Sequence, residues 1–284
     1  MSISVVWLKR DLRLADHAAL AAAVDRGQPT LLLYCFEPEL LDNPHYRDRH
    51  WRFVWQSLMD MHERLDRYGL RLAICSGDAA DVLQAVHRSW GIGALFSHEE
   101  TGLDITFRRD RHIADWAATE DIPWLEFPSN GVIRGLGHRK GWNRRWDRTM
   151  RAPQSQVALD RLQPLAMPAI NPLARFLLAE PPRPWTASHT LFQHGGETAA
   201  WQTLNSFLDR RAARYAIDIS KPDASREHCS RLSPYLAWGN LSIRQVFQAL
   251  ERRRAMPGWE RALDAFESRL HWHCHFIQKF EMEC

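Results

Sequence analysis

The sequence of 284 residues predicts an α/β domain with a Rossmann-like, doubly wound parallel sheet, followed by a proline-rich connector and an all-α region. Three observations predict this order. Short apolar runs alternate with amphipathic helical patterns over residues 1–130, as in chains that form parallel sheets. Residues 131–195 contain many prolines, which interrupt regular structure. From residue 196 to residue 284 the apolar residues follow helical spacing only.

The elements of residues 1–130 follow from the apolar runs and from residues that start or stop helices. Predicted strands cover residues 3–7, 30–36, 71–75, 94–97 and 123–127, and predicted helices cover residues 16–24, 47–68, 78–90 and 105–119. Gly69 is a typical helix stop, and Asp78 is a typical N-cap. The turn after the first strand reads LKRDLR and lacks the Gly-x-Gly-x-x-Gly pattern, so a conventional dinucleotide site is not expected there.

The first part of the connector is strongly basic. Its cations are interleaved with Trp142 and Trp146, and they are Arg134, Arg139, Lys140, Arg144, Arg145, Arg148 and Arg151. Such a stretch could hold nucleic-acid phosphates and stack bases. It could also be a solvated linker whose tryptophans dock on the protein, and we favour this second interpretation. Beyond the connector, helices are predicted over residues 197–215, 242–254 and 260–280.

Composition and charge restrict the class of protein. The chain is 45% hydrophobic and 25% charged, which is typical of a soluble globular protein. Its net charge of +3 permits an anionic partner without requiring one. No apolar segment is long enough for a membrane span and the amino terminus lacks a signal-peptide pattern, so a cytoplasmic location is expected. The 5 scattered cysteines argue against disulfides and against a structural zinc site.

Two motifs resemble those of one known family. Residues 229–242 read CSRLSPYLAWGNLS, and residues 6–20 read VWLKRDLRLADHAAL. The first is similar to the Thr-Ser-x-Leu-Ser-Pro-x-Leu run with which the photolyase/cryptochrome family binds the phosphates of FAD. The second is similar to the Trp-Phe-Arg-x-Asp-Leu-Arg-x-x-Asp-Asn-x-Ala-Leu run that opens that family. The resemblance covers nearly the whole chain and implies an antenna-type domain at residues 1–130 and the first part of an FAD-binding domain at residues 196–284.

The resemblance also implies which residues contact FAD. Tyr215 matches the family's flavin-contacting tyrosine. The residues of the phosphate-binding run are Cys229, Ser230, Arg231, Leu232 and Ser233. Hydroxyl groups and an arginine fork suit a pyrophosphate, and Pro234 suits the first turn of a helix whose N-terminus favours anions. Taken alone, the Ser-x-x-Ser-Pro pattern could be only a helix N-cap. Cys229 replaces the family's threonine, which exchanges a hydroxyl for a weaker thiol donor.

The last predicted helix departs from the family at positions that matter for repair. Residues 266–276 read FESRLHWHCHF and resemble the family's Trp-x-x-Glu-Leu-x-Trp-Arg-Glu-Phe-Tyr stretch beside the flavin. Phe266, Trp272 and His273 are therefore expected to line the flavin. Arg269, Trp272 and His273 are expected to face the DNA substrate. Arg269 replaces the acidic residue that contacts the flipped lesion in dimer-repairing photolyases, and a guanidinium accepts no hydrogen bonds, so no catalytic residue is assigned.

The function that the resemblance implies is blue-light-driven electron transfer from FAD, which repairs pyrimidine photolesions in DNA. Damaged DNA is then the partner, and the activity is that of a deoxyribodipyrimidine photolyase-like lyase. The alternative is a non-repairing, cryptochrome-type photoreceptor, which Arg269 favours and the basic connector does not. A folate antenna is not expected, because Ile105 and Thr106 replace the family's folate-binding Asn-Glu pair. A deazaflavin, another antenna chromophore of unknown identity and an empty pocket are the alternatives.

Two further expectations concern metals and length. His271 and His275 lie four residues apart, a spacing that could bind a metal, but no third ligand is evident and no metal site is predicted. Members of the family continue well beyond the helix in which this chain stops. We therefore expect the chain ending at Cys284 to be a truncated member that lacks tight FAD binding and activity by itself.

Overall fold

The computed structural model describes residues 2–166, 171–187 and 189–283, and the chain forms two compact units. The first unit comprises Met1–Phe127 and Ser155–Gly196, and the second comprises Pro128–Gln154 and Glu197–Cys284. The early, basic part of the proline-rich stretch therefore belongs to the second unit, and its later part belongs to the first. Residues 167–170 and 188 of the predicted connector, and the terminal Cys284, lie outside the described residues.

A parallel sheet forms the centre of the first unit. Its strands are β1 Ile3–Leu8, β2 Pro29–Phe36, β3 Leu72–Ser76, β4 Ile92–His98, β5 Trp124–Phe127 and β6 Gln163–Pro164. The strand order is β3-β2-β1-β4-β5, the short β6 pairs with β2, and each of these pairs is parallel. The order changes direction between β1 and β4, as a doubly wound sheet requires. The predicted fold class is therefore confirmed.

Helices flank the sheet and make up most of the second unit. In chain order they are α1 Ala18–Arg26, α2 Pro38–Leu41, α3 Asp48–Asp66, α4 Ala79–Trp90, α5 Asp104–Thr119, α6 Trp142–Arg151, α7 Arg183–Thr186, α8 Glu197–Asp209, α9 Tyr215–Asp218, α10 Pro222–His228, α11 Ser233–Ala237, α12 Ile243–Arg254 and α13 Glu260–Glu283. Strand β1 is buried along its whole length because both faces of the sheet are covered, which explains its continuous apolar sequence. Within the described ranges, no helix is long and apolar enough to cross a membrane.

Helix α6 occupies the basic part of the predicted connector, where the prolines led us to expect irregular structure. The helix itself contains no proline, and Trp142, Trp146 and Met150 recur every four residues along its buried face. The indole N–H of Trp142 donates to the carbonyl of Gly131 at 3.1 Å, and the Trp146 ring packs edge-on against Phe247 of α12. The two tryptophans therefore dock the helix and cannot stack bases.

A buried glutamine fixes α13 to the loop that precedes α6. The Oε1 atom of Gln278 accepts the amide of Ile133 at 2.7 Å, and its Nε2 atom donates to the carbonyl of the same residue at 2.9 Å. Gln278 is fully buried. An amide side chain carries both the donor and the acceptor that this arrangement needs. The pair of bonds sets the position of α13 against the loop.

A buried carboxylate joins three parts of the first unit that are distant in sequence. Asp11 follows β1, His17 caps α1, and His98 ends β4. The Asp11 carboxylate accepts the amide of Lys9 at 2.7 Å, and it lies 2.7 Å from His98 Nδ1. It also lies 3.1 Å from His17 Nε2, so the three side chains could hold a metal ion. However, His17 Nδ1 accepts the amide of Leu20, which leaves the ring proton of the neutral imidazole on Nε2. That atom, which has no hydrogen-bond partner among the described residues, is then unable to ligate a metal.

Acid is expected to destabilise the first unit through His98. Burial and the adjacent His17 lower the pKa of His98 to about 4, although Asp11 opposes this shift. A histidine in an unfolded chain titrates near pH ~6.5, so the unfolded state takes up the proton first as the pH falls. The free energy of unfolding should therefore decrease between about pH 6.5 and about pH 4, by at most ~3 kcal/mol.

Thermal unfolding between pH 7 and pH 4.5 tests this expectation. The variant His98→Asn should show a smaller loss of Tm on acidification than the unsubstituted protein, whatever its Tm at pH 7. His112→Asn is the matched control, because His112 is exposed on α5. Identical pH slopes for all three proteins would show that His98 does not govern the acid response.

Candidate functional site

The run from Cys229 to Ser233 forms a partly exposed turn between two short helices of the second unit. Helix α10 ends just before it, and α11 begins at Ser233 with Pro234 in its first turn. Arg231, within the turn, has a φ of 62°, which is strained for a residue other than glycine. Such strain is often retained at ligand sites. The N-cap of α11 is Leu232 and no side chain caps it, so the simple N-cap interpretation of the serines does not apply.

The side chains of this turn differ in what they offer a ligand. Ser233 is exposed, and its hydroxyl has no hydrogen-bond partner among the described residues. Ser230 is half-buried, and its hydroxyl oxygen accepts the amide of Leu232 at 3.5 Å. The Leu232 side chain is itself in the core, so its backbone is the part that can reach a ligand. Burial raises the pKa of the Cys229 thiol, which therefore stays protonated and is a weak donor.

Arg211 was not predicted as a site residue, yet it fixes the backbone of this turn. The helix predicted over residues 197–215 ends early, at Asp209, and this break turns the Arg211 guanidinium toward three carbonyl oxygens. It donates to the carbonyls of Thr203 at 2.8 Å, Ser230 at 3.3 Å and Cys229. Burial lowers the pKa of Arg211, and so does the nearby guanidinium of Arg231. Two guanidinium groups therefore lie close to this turn. The helical periodicity of the sequence does not indicate such a contact between distant residues.

Asp218 holds the segment between the predicted tyrosine and the turn. The carboxylate of Asp218 accepts hydrogen bonds from Arg214 at 2.8 Å and from Lys221 at 3.0 Å. Nδ1 of His228, at the end of α10, lies 2.8 Å from the same carboxylate. The hydrogen bonds from Arg214 and Lys221 lower the pKa of Asp218 to about 2. One carboxylate therefore gathers three cationic or polar side chains and ties α9 to α10.

Tyr215 lies in an aromatic cluster at one side of the turn. Its ring centroid is 5.3 Å from that of Phe207 and 5.7 Å from that of Phe266, and all three side chains are buried. Burial and the neighbouring Cys229 raise the pKa of Tyr215 to about 12, while Arg269 opposes the shift. The structure therefore brings together Tyr215, Cys229, Phe266 and Arg269.

Three further predicted residues lie on α13. The Arg269 guanidinium is 4.3 Å from the centroid of the Trp272 ring, and both side chains are exposed. Arg269 pairs with no carboxylate in the part of the chain that the structure describes. His273 lies two helical turns beyond Phe266, and burial lowers its pKa. Its Nδ1 atom is buried without a hydrogen-bond partner among the described residues, which is unfavourable unless a ligand provides one.

The carboxyl edge of the sheet in the first unit is occupied by buried ion pairs. Lys9 lies 2.7 Å from Asp110, and Arg109 lies 2.5 Å from Glu37. Burial raises the pKa of Glu37 to about 7, although Arg109 opposes the shift. Thr106, which stands in the place of one member of the family's folate-binding pair, is buried and donates its hydroxyl to a main-chain carbonyl at 2.7 Å. Its hydroxyl is therefore already used within α5.

The fold and the turn together define a protein with an α/β sheet unit, a helical unit and a cationic turn suited to an anionic ligand. Residues 4–155, more than half of the chain, match the family model described as DNA photolyase. The chain therefore belongs to the DNA photolyase family.

Relatives and solved structures include both photolyases and cryptochromes. The deoxyribodipyrimidine photo-lyase of a Synechococcus strain is 26% identical over 278 residues, which cover 88% of this chain and 54% of the relative. The cryptochrome of Synechocystis sp. PCC6803 has a similar fold, with a TM-score of 0.79 at 19% identity over 99% of this chain and 62% of that one. The archaeal photolyase from Sulfolobus tokodaii with two FAD molecules gives 0.69 at 18% identity over 97% of this chain and 58% of that one. The chain spans about half the length of the curated relatives it matches.

Substitution of Asp218 should loosen the turn without unfolding the unit. In Asp218→Asn the neutral amide cannot form the two ion pairs, and we expect amide hydrogen exchange over residues 215–232 to become roughly tenfold faster, since charge-assisted hydrogen bonds are the stronger ones. Asp223→Asn is the control, because Asp223 is exposed on α10. Exchange measured by mass spectrometry that is equally fast in both variants would contradict the role given to Asp218.

Proposed function

We propose that this protein, in its full-length form, binds FAD and uses blue light to drive electron transfer that repairs pyrimidine photolesions in DNA. The observation that carries the proposal is the strained, cationic turn at residues 229–233, which Arg211 holds beside Tyr215 in a chain of the DNA photolyase family. In this proposal residues 1–130 form the antenna-type domain and residues 196–284 begin the FAD-binding domain. The stretch between them, residues 131–195, is shared between the two units rather than separate from both.

The residues of the second unit fit FAD at two places. At the turn, the guanidinium of Arg231 and the partnerless hydroxyl of Ser233 suit a pyrophosphate, and Arg211, whose donors hold the main chain, adds positive charge. Near α13, the buried and unpaired Nδ1 of His273 suits a polar edge of a flat ring. Reduced FAD, when bound, supplies the excited-state electron. The chain's residues bind the cofactor, orient it and exclude water from the aromatic side formed by Tyr215.

An exposed cation on α13 favours an anionic partner such as DNA. Arg269 lies over the exposed Trp272 ring and has no carboxylate beside it within the described ranges. A guanidinium in this position can donate to a phosphate or to a carbonyl of a base, and the indole can stack on a base. Both side chains therefore suit a damaged strand with an extruded nucleotide.

A second candidate function is that of a cryptochrome-type photoreceptor, in which flavin reduction changes partner binding without repair. The observation in its favour is Arg269 itself. A guanidinium cannot accept the hydrogen bonds that an acidic residue accepts from a thymine, and it cannot act as an acid near neutral pH. The chain is similar to photolyases and cryptochromes at comparable sequence identity, 26% and 23%.

Replacement of Cys229 tests whether the turn holds the FAD phosphates. Cys229→Thr introduces a stronger donor, and we expect FAD to bind roughly fivefold more tightly, equivalent to about 1 kcal/mol. Flavin fluorescence titration measures the change. Riboflavin, which has no phosphate, should bind equally to both proteins.

The matched control is Cys229→Val, which has the shape of threonine without its hydroxyl. This variant should show no gain in FAD affinity. If the threonine and valine variants bind FAD equally, or if riboflavin shows the same gain as FAD, the residue at position 229 does not contact the phosphates.

A light-dependent repair assay separates the two functions. Under blue light, and not in the dark, the reduced full-length protein with FAD should restore the intact pyrimidines of an oligonucleotide that carries one defined thymine dimer, as chromatography of the oligonucleotide would show. Normal flavin photoreduction together with intact lesions, for both the cyclobutane and the 6-4 type, would instead support the photoreceptor.

A further inference from the structure

A cavity of about 640 Å³ lies within the second unit, beside the amino-terminal end of α6 and the middle of α13. Its lining side chains include Arg139, Asn143, Arg144, His271, Trp272 and His275. This volume exceeds that of a phosphate group and would admit a nucleotide. None of the residues that line it is acidic.

The positive charge of this cavity is not balanced by nearby carboxylates. Arg144 is exposed and forms no ion pair with any described residue. Arg139 has a neutral partner, because its guanidinium donates to Nδ1 of His275 at 2.6 Å. The acidic residue of α6, Asp147, is already paired with Arg151 at 2.9 Å. Two uncompensated guanidinium groups at one concave surface favour an anion.

The donors are held in place by the docked tryptophans. The Arg139 guanidinium lies 5.1 Å from the centroid of the Trp142 ring. The His271 ring packs edge-on against Trp142 at 5.1 Å and against Trp146 at 4.9 Å. Both tryptophans are buried, so the wall of the cavity is rigid. Helix α6 also begins here without a side-chain cap, which leaves backbone amides available to an anion.

The two histidines are better placed to bind an anion than a metal. Nε2 of His271 lies 3.3 Å from Oδ1 of Asn143, and His275 accepts from Arg139, so each ring already has a partner. Burial, His275 and Arg139 lower the pKa of His271. Burial, Arg139 and Lys279 lower the pKa of His275. These cations would repel a metal ion, whereas an anion is favoured beside them.

We infer that this cavity binds a backbone phosphate of a single-stranded nucleic acid, with Arg139 and Arg144 as the cations that hold it. The exposed ring of Trp272 at the same cavity provides a surface for the adjoining base, which a free phosphate would not use. The inference rests on the proposed function, since it gives the proposed DNA partner a defined point of attachment.

Arg144→Gln tests the site against a matched control. The control is Arg148→Gln, which removes the same charge one turn further along α6, outside the cavity. With a fluorescent oligothymidylate as the probe, Arg144→Gln should weaken binding roughly fivefold and reduce the salt slope by about one, whereas Arg148→Gln should change affinity less than about twofold. Equal losses in the two variants would overturn the inference, because they would indicate only general attraction to a basic surface.

The pH dependence and the choice of probe test the chemistry of the ligand. Affinity for oligothymidylate should change less than about twofold from pH 8 to pH 6, because both guanidinium groups stay charged over this range. An oligonucleotide with an uncharged methylphosphonate backbone should bind poorly. If inorganic pyrophosphate displaces the oligonucleotide at equal concentration, the site takes free phosphates and the inference of a strand is wrong.

Failure of this inference is distinguishable from failure of the proposed function. FAD titration and dimer repair on the unsubstituted protein report the proposed function alone. If FAD binding and repair are normal but Arg144→Gln and Arg148→Gln lose equal oligonucleotide affinity, the cavity is not a phosphate site and the proposed function stands. If only Arg144→Gln loses oligonucleotide affinity and the protein does not bind FAD, the phosphate site stands and the flavin-dependent function is wrong.

Discussion

The guanidinium of Arg211 bonds the main chain at two separate places, and the shape of the candidate flavin site depends on these bonds. One bond goes to Thr203 within α8, and the others go to the turn after α10. Because a guanidinium holds its donors in a fixed plane, it sets the distance between the two segments. The early end of α8 is part of the same arrangement, since a helix continued past Asp209 would direct position 211 along the helix surface. Local irregularity in one helix is therefore what keeps the strained turn in place.

Much of the fold could be predicted because it follows from short-range patterns. The five predicted strands and the flanking helices of the first unit appear within a few residues of their expected bounds, since buried parallel strands and amphipathic helices leave clear periodicities. Helix α6 was missed because the prolines that follow it dominated the interpretation, although its own tryptophans recur every four residues. Asp11, His17 and His98 were missed for another reason. They are brought together by tertiary contacts, which leave no periodic pattern in the sequence.

Buried cations of the first unit are paired with carboxylates, whereas, within the described ranges, two exposed cations of the second unit are not. In the first unit, buried cations such as Lys9 and Arg109 are matched by carboxylates. Around α6 and α13, Arg144 and Arg269 face none among the described residues. Family motifs identified the turn at residues 229–233, because it is a continuous run. The contacts of Arg211 and the partnerless nitrogen of His273 join residues far apart in sequence, so only the three-dimensional structure could show them.

The bonds between Gln278 and Ile133 have a mechanical consequence. A slip of α13 by one residue would move it by about 1.5 Å and turn it by about 100°, which would break both bonds. Helix α13 and the loop at residues 131–133 are therefore expected to move together. A ligand that pushes on Trp272 or His273, one to two turns away, would displace that loop as well. A glutamate at position 278 could not serve in its place, since an ionised carboxylate has no hydrogen to give.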